Sequence, residues 1–154
     1  MKYLKDLTEK EIVANFPEIR LDEFLNLGEM HYQTMILFNK MCREAERAHG
    51  WKHHINSTWR VGDKGQHGKG RAIDFYFYKE MPGDVEIGEQ FLFASRFNWD
   101  GLGFYPYWNT PGLHADTNPA RPRRAYWYRG QQGTYFYDEN SILGEIRGTN
   151  VEIG

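Results

Sequence analysis

The chain has 154 residues, the length of one domain, and can bury roughly 70% of the surface its unfolded form exposes, so no disulfide or metal staple is needed to fold it. Lys plus Arg is 19 against 21 for Asp plus Glu, a formal charge of −2, which provides no global field for gripping duplex nucleic acid or an anionic membrane. The single cysteine, Cys42, excludes an internal disulfide and a cysteine-built zinc site. Residues 1–20 mix Lys2, Lys5, Asp6, Glu9, Lys10 and Glu11 with apolar residues and lack the apolar core of a secretory signal, so the expectation is a chain that is cytoplasmic as synthesised. No stretch approaches the 18 or more apolar residues of a membrane span. Aromatic residues at 16% together with 16 glycines indicate an α+β or β-rich domain with tight turns rather than a helical bundle.

In chain order, Thr8 followed by Glu11 is a capping box that predicts a short helix over 8–15, closed by Phe16-Pro17. Residues 1–18 read as a packing arm of one domain spanning 1–154. Apolar residues at three- and four-residue spacing predict the principal helix over 29–49, with Gly50 at its end. A short strand is expected over 54–60, then a mobile loop containing Gly62, Gly65, Gly68 and Gly70, in which neither helix nor strand is expected. The loop feeds a strong strand over 71–78, with Ile73, Phe75 and Phe77 on one face and Ala72, Asp74, Tyr76 and Tyr78 on the other. A turn at 82–84 precedes a second helix over 85–97, which crosses over from the strong strand. Strands follow at 101–105 and 112–116, and a hairpin pairs 126–129 with 134–137. Residues 138–154 carry little pattern.

The chemistry concentrates on three residues. His67 lies in the glycine loop seven residues before Asp74, and His114 lies in a later strand two residues before Asp116. A loop His and a strand Asp joined by a flexible bend can both turn onto one cation, and a second His from a neighbouring strand completes three ligands. Two imidazoles and one carboxylate form the donor set of a catalytic zinc site that keeps a fourth position for water. Zinc lowers the pKa of such a water from 15.7 to about 7, so metal-assisted hydrolysis is the reaction class this set suits.

The surrounding residues sharpen that reading. His67-Gly68-Lys69-Gly70-Arg71-Ala72-Ile73-Asp74 matches H-x-x-G-x-A-x-D, Ser57-Thr58-Trp59-Arg60 stands just upstream where S-G-Y-R is expected, and Leu113-His114-Ala115-Asp116-Thr117 follows a Gly-rich aromatic strand. In that order these elements resemble the M15 zinc peptidases, the D-alanyl-D-alanine carboxypeptidase and peptidoglycan endopeptidase group. The resemblance covers roughly residues 19–127, including Leu21-Asp22-Glu23-Phe24 and Arg123-Arg124-Ala125-Tyr126-Trp127. It implies a small α+β fold whose antiparallel sheet, flanked by helices, cradles Zn²⁺ on His67, Asp74 and His114. It also implies hydrolysis of peptide bonds in peptidoglycan stem peptides, by a carboxypeptidase or an endopeptidase, with Arg60 beside the metal binding substrate or polarising the scissile carbonyl.

This chain departs from the family pattern at three places. Gly65 replaces a serine, Thr58 replaces the glycine of S-G-Y-R, and Pro111 stands three residues before His114, where many members carry a catalytic carboxylate. Proline cannot exchange a proton. Asp116 shares the face of His114 and is the candidate either to accept that proton or to orient a ligand imidazole, with Glu80, Asp100 and His54 as further candidates. A metal-containing binding or structural module, such as a phage component, is the alternative function; phage origin with release by lysis would also bring a chain without a signal to the cell wall. Among the remaining residues, His31, His49, His53 and His54 are expected on surface or helix faces, and Cys42 in the core. Tyr76, Tyr78, Tyr105, Tyr107 and Trp108 read mostly as core and groove wall, with a lining of the substrate cleft as the alternative for some of the rings. Arg121, Arg123, Arg124 and Arg129, interleaved with Tyr126, Trp127 and Tyr128, read as a solvated hairpin face; stacking on single-stranded nucleic acid is the alternative.

Overall fold

In a computed structural model of the chain, residues 3–16 and 27–148 are described. The first helix, α1 (Glu9–Asn15), begins at the predicted capping box: the Thr8 hydroxyl accepts from the Glu11 N–H at 3.2 Å, and the Thr8 N–H donates to the Glu11 carboxylate at 2.8 Å. Before it, the 3-10 turn Leu4–Asp6 buries Leu4, whose N–H donates to the Met30 carbonyl at 2.9 Å. Leu4, Ile12 and Phe16 thus seat the arm on the core. Leu21 to Phe24 of the family resemblance lie outside the described residues.

Helix α2 (Tyr32–His49) starts three residues later than its periodicity predicts, because a 3-10 turn (Leu27–Glu29) precedes it and His31 caps it, Nδ1 accepting from the Gln33 N–H at 3.3 Å. It stops at Gly50, as expected. Met35, Phe38, Met41, Cys42 and Ala45 line its buried side.

Six strands follow: β1 (Lys52–Ser57), β2 (Ala72–Tyr78), β3 (Gly101–Tyr105), β4 (Gly112–Asp116), β5 (Ala125–Arg129) and β6 (Tyr135–Phe136). They form one sheet in the order β1-β2-β4-β3-β5-β6. The architecture is therefore α+β, but the sheet is not wholly antiparallel. Residues 117–124 pass around the start of β3 instead of turning back beside β4, so β5 pairs with β3 in parallel, Gly101 against Ala125 through Phe104 against Tyr128. β1 ends earlier than predicted because its register slips between Ile55 and Ser57, after which the chain leaves the sheet.

Helix α3 (Ile87–Ala94) is shorter than the predicted 85–97; the chain turns at Ser95, yet Phe97 still packs on Phe93 with ring centroids 5.4 Å apart. Residues 138–148, which carried little pattern, form α4 (Glu139–Arg147), capped by the Asp138 carboxylate on the Ser141 N–H at 2.9 Å.

Alternation along the strands divides the sheet into two faces. Ile73, Phe75 and Phe77 of β2 turn towards α2 and α3, with Phe38 5.1 Å from Phe75 and Phe93 5.7 Å from Phe77 between ring centroids. Phe104 of β3 meets Phe91 of α3 at 4.7 Å. The opposite face carries Asp74, His114, Gly103 and Trp127 in register, one from each of β2, β4, β3 and β5. That row is the floor of the site.

Candidate metal centre

The glycine loop that leads into β2 contains a 3-10 turn, Gln66–Lys69, that its glycines did not predict. The Trp59 indole N–H donates to the Gly68 carbonyl at 3.1 Å, the Arg60 N–H to the His67 carbonyl at 3.2 Å, and the Thr117 N–H to the Arg71 carbonyl at 2.9 Å. These bonds tie the loop to the sheet and turn His67 inward, leaving it 5% exposed.

Asp74, 8% exposed, is where the three predicted ligands meet. Its Oδ1 lies 3.2 Å from His67 Nε2 and 3.0 Å from His114 Nδ1. One ligand atom from each residue falls within 4.8 Å of the others, so His67, Asp74 and His114 can hold a metal ion.

The proton inventory supports a cation there. His67 Nδ1 sits 2.7 Å from the Thr58 carbonyl, an acceptor, so this nitrogen carries the proton and a neutral ring presents its Nε2 lone pair to the Asp74 carboxylate. His114 faces the same conflict: Nε2 is 2.8 Å from Asp116 Oδ2 while Nδ1 meets Asp74, and a neutral ring can donate to only one of them. Two rings converging on one carboxylate oxygen, each with its other nitrogen against an acceptor, need added positive charge. A metal ion meets that need while leaving both rings neutral.

In the metal-free molecule a proton on His114 supplies positive charge. Burial disfavours a charged His114, but hydrogen bonds to Asp116 and Asp74 outweigh it and raise its pKa to about 9. Burial would likewise raise Asp74, yet hydrogen bonds and charge from His114 and His67 hold it well below the ordinary carboxylate range.

Arg60 stands beside the three candidate ligands. Its Nη2 donates to Asp74 Oδ2 at 2.9 Å and its Nε to Ser57 Oγ at 3.0 Å, with about half of the side chain exposed beside the centre. Asp116, 2% exposed, lies behind His114; Oδ2 takes the imidazole and Oδ1 accepts from Arg121 Nη1 at 3.1 Å. Both oxygens are engaged within the protein, an arrangement that suits the orienting role and not direct contact with a nucleophile. The further candidates stand elsewhere. Asp100 accepts from the Asn118 N–H at 2.7 Å, Glu80 sits in the turn closed by Asp84, and His54 lies over the Tyr76 ring at 5.1 Å.

Sequence reasoning missed Trp127 and Arg121 as parts of the site. Trp127 lies 5.5 Å from the His114 ring and donates its indole N–H to the Tyr105 hydroxyl at 3.0 Å. The signal was present in Gly101 and Gly103: a Cβ on Gly103 would collide with the Trp127 indole, and one on Gly101 with Arg121 and Asp116. β3 offers bare backbone where those side chains cross it. The same placements correct part of the 121–129 reading: Arg123, Arg124 and Arg129 are exposed, as a solvated face requires, but Arg121 pairs with Asp116, Trp127 adjoins His114, and Tyr126 and Tyr128 pack on Phe91 and Phe104. His31 is also buried, its Nε2 3.0 Å from Arg71 Nη2, rather than a surface residue.

No protein-family model matches this chain, and no curated protein matches it.

Proposed function

We propose that this chain is a zinc-dependent peptidase of the M15 type, acting on the stem peptides of bacterial peptidoglycan. The observation that carries the reading is the convergence of His67 Nε2 and His114 Nδ1 on Asp74 Oδ1, with Thr58 and Asp116 fixing the opposite ring nitrogens. Zinc is the metal that suits two imidazoles and one carboxylate, and when bound it supplies Lewis acidity and a nucleophilic water near neutral pH. The class of substrate comes from the ordered match of His67 to Asp74, Ser57 to Arg60 and Leu113 to Thr117 with that family.

The chain's own residues then have distinct tasks. Asp116 accepts the Nε2–H of His114 and keeps the Nδ1 lone pair pointed at the centre. Thr58 does the same for His67 through its carbonyl. Arg60, anchored on Asp74 and Ser57, presents its remaining N–H donors to the scissile carbonyl, where negative charge develops as the C–O bond forms and before the C–N bond breaks, the proton given up by the attacking water passing to the leaving amine. The test is digestion of purified peptidoglycan by zinc-loaded protein, with the fragments read by mass spectrometry. New peptide termini that disappear with His67→Ala support the proposal; an intact wall overturns it.

A second reading, a metal-holding binding module such as a phage structural component, is favoured by one observation. The family's acceptor position, 111, is proline, Asp116 has both oxygens occupied, and Asp100, Glu80 and His54 make their contacts with Asn118, Asp84 and Tyr76. A stoichiometric metal without peptide cleavage would establish it over the peptidase.

A further inference from the structure

The site face continues past Trp127 into a second concavity. Trp127 donates to the Tyr105 hydroxyl, and the Tyr105 ring stacks on Trp108 with centroids 4.1 Å apart. Beyond this pair the β5–β6 turn closes a pocket of about 260 Å³, with Arg129, Gln131 and Gln132 along its rim. Tyr107 completes the wall and directs its hydroxyl to Glu145 of α4 at 3.1 Å.

Arg129 is the charged group of this pocket. Its guanidinium lies over the Tyr135 ring at 6.0 Å and against Gly133, where Nη2 would be 3.2 Å from a Cβ, so it is held between the arms of the hairpin. Among the described residues no carboxylate pairs with it, unlike Arg60 and Arg121, which are committed to Asp74 and Asp116. A planar, permanently charged fork supported on an aromatic ring suits a carboxylate bound from outside.

Its position relative to the metal centre follows from the sheet. His114, Gly103 and Trp127 are in register on adjacent strands, and Arg129 is two residues beyond Trp127 on the same face. Two strand spacings across and two residues along place it roughly 12 Å from His114, or three to four residues of extended peptide.

On the strength of the peptidase reading, we infer that this pocket is a specificity subsite for a free carboxylate carried by the peptide substrate three to four residues from the bond at the metal, with Arg129 as its anchor. Tyr105 and Trp108 form an apolar floor for the carbon chain that bears the carboxylate, and the Gln131 and Gln132 amides flank it. The polar end of the substrate is thus selected at a distance from the centre that cuts it.

The test uses zinc-loaded full-length protein and two synthetic pentapeptides that differ only in one side chain, a free carboxylate or its carboxamide. Binding is read on rapid mixing from the change in tryptophan fluorescence, and cleavage from the same samples by mass spectrometry. Wild type should bind the carboxylate peptide about tenfold more tightly than the carboxamide, Arg129→Gln should bind both at the carboxamide level, and Arg129→Lys should recover part of the difference. Equal binding of the two peptides by wild type, or discrimination that survives Arg129→Gln, overturns the subsite. Discrimination without cleavage keeps the carboxylate site and removes the peptidase reading; cleavage without discrimination does the reverse.

Discussion

The two faces of β2 and β4 use the same backbone for opposite purposes. On one, Ile73, Phe75, Phe77, Leu113 and Ala115 are fully buried under α2 and α3, and their contribution comes from leaving water. On the other, Asp74, His114 and Asp116 are also largely withdrawn from water, but burial there opposes folding unless each polar atom finds a partner and the charges balance. The apolar face is complete without a ligand. The polar face is complete only with a proton on His114 or a cation between its rings. Substitution at adjacent positions of one strand should therefore separate stability from metal binding.

The largest stability effect is expected on the apolar face. Phe75 is fully buried between Phe38 and Phe77, so Phe75→Ala should lower unfolding free energy by about 3–5 kcal/mol, measured by chemical denaturation with chelator present. A change well under 1 kcal/mol would mean that this face is not the principal core. On the polar face, Asp116→Asn removes the carboxylate that holds His114, and zinc affinity should fall 10- to 100-fold in competition with a chromophoric chelator. Unchanged affinity with turnover lost would instead make Asp116 the proton acceptor. Arg60 lies outside the ligand set and is half exposed, so Arg60→Lys should leave melting temperature and metal content nearly unchanged while lowering turnover by about tenfold. A stability loss with activity per folded molecule intact would reassign it to the fold.

The same contrast explains what the sequence made legible. Elements governed by local rules were readable: the Thr8 box, the periodicity of α2 up to Gly50, and the alternation of β2. His67, Asp74 and His114, which the structure brings close enough to hold a metal ion, were singled out by their donor types together with the ordered H-x-x-G-x-A-x-D match, since a His and an Asp seven apart are by themselves only moderately specific. The parallel pairing of β5 with β3 was not readable, since it depends on the path of 117–124 around the start of β3, which no short-range signal encodes. α4 was overlooked although Asp138 and Gly148 mark its two ends and Ile142 and Ile146 share one side, because nine residues give periodicity too little room. Trp127 and Arg121 needed register across three strands before the glycines of β3 could be recognised as the space they occupy.

The smallest expected effect concerns pH, and it tests whether the polar face is balanced by protons when metal is absent. His114 titrates at about 9 in the folded metal-free protein against about 6.5 when unfolded, so its protonated form stabilises the fold. That contribution is fully present below about pH 6.5 and is lost as pH rises through 9. Asp74 is shifted downward, so its contribution is present above its ordinary value near 3.8 and is lost as pH falls below it. Metal-free protein should consequently be most stable between about pH 4 and 6.5, with a melting temperature that declines between pH 7 and 9.5. One equivalent of zinc should flatten the alkaline decline, because the positive charge between Asp74 and the two imidazoles then no longer depends on a proton. Thermal melts across this range, with chelator and with zinc, make the comparison. A metal-free melting temperature that holds steady or rises from pH 7 to 9.5 would show that His114 is already neutral in the fold, and that the charge conflict at Asp74 is relieved some other way.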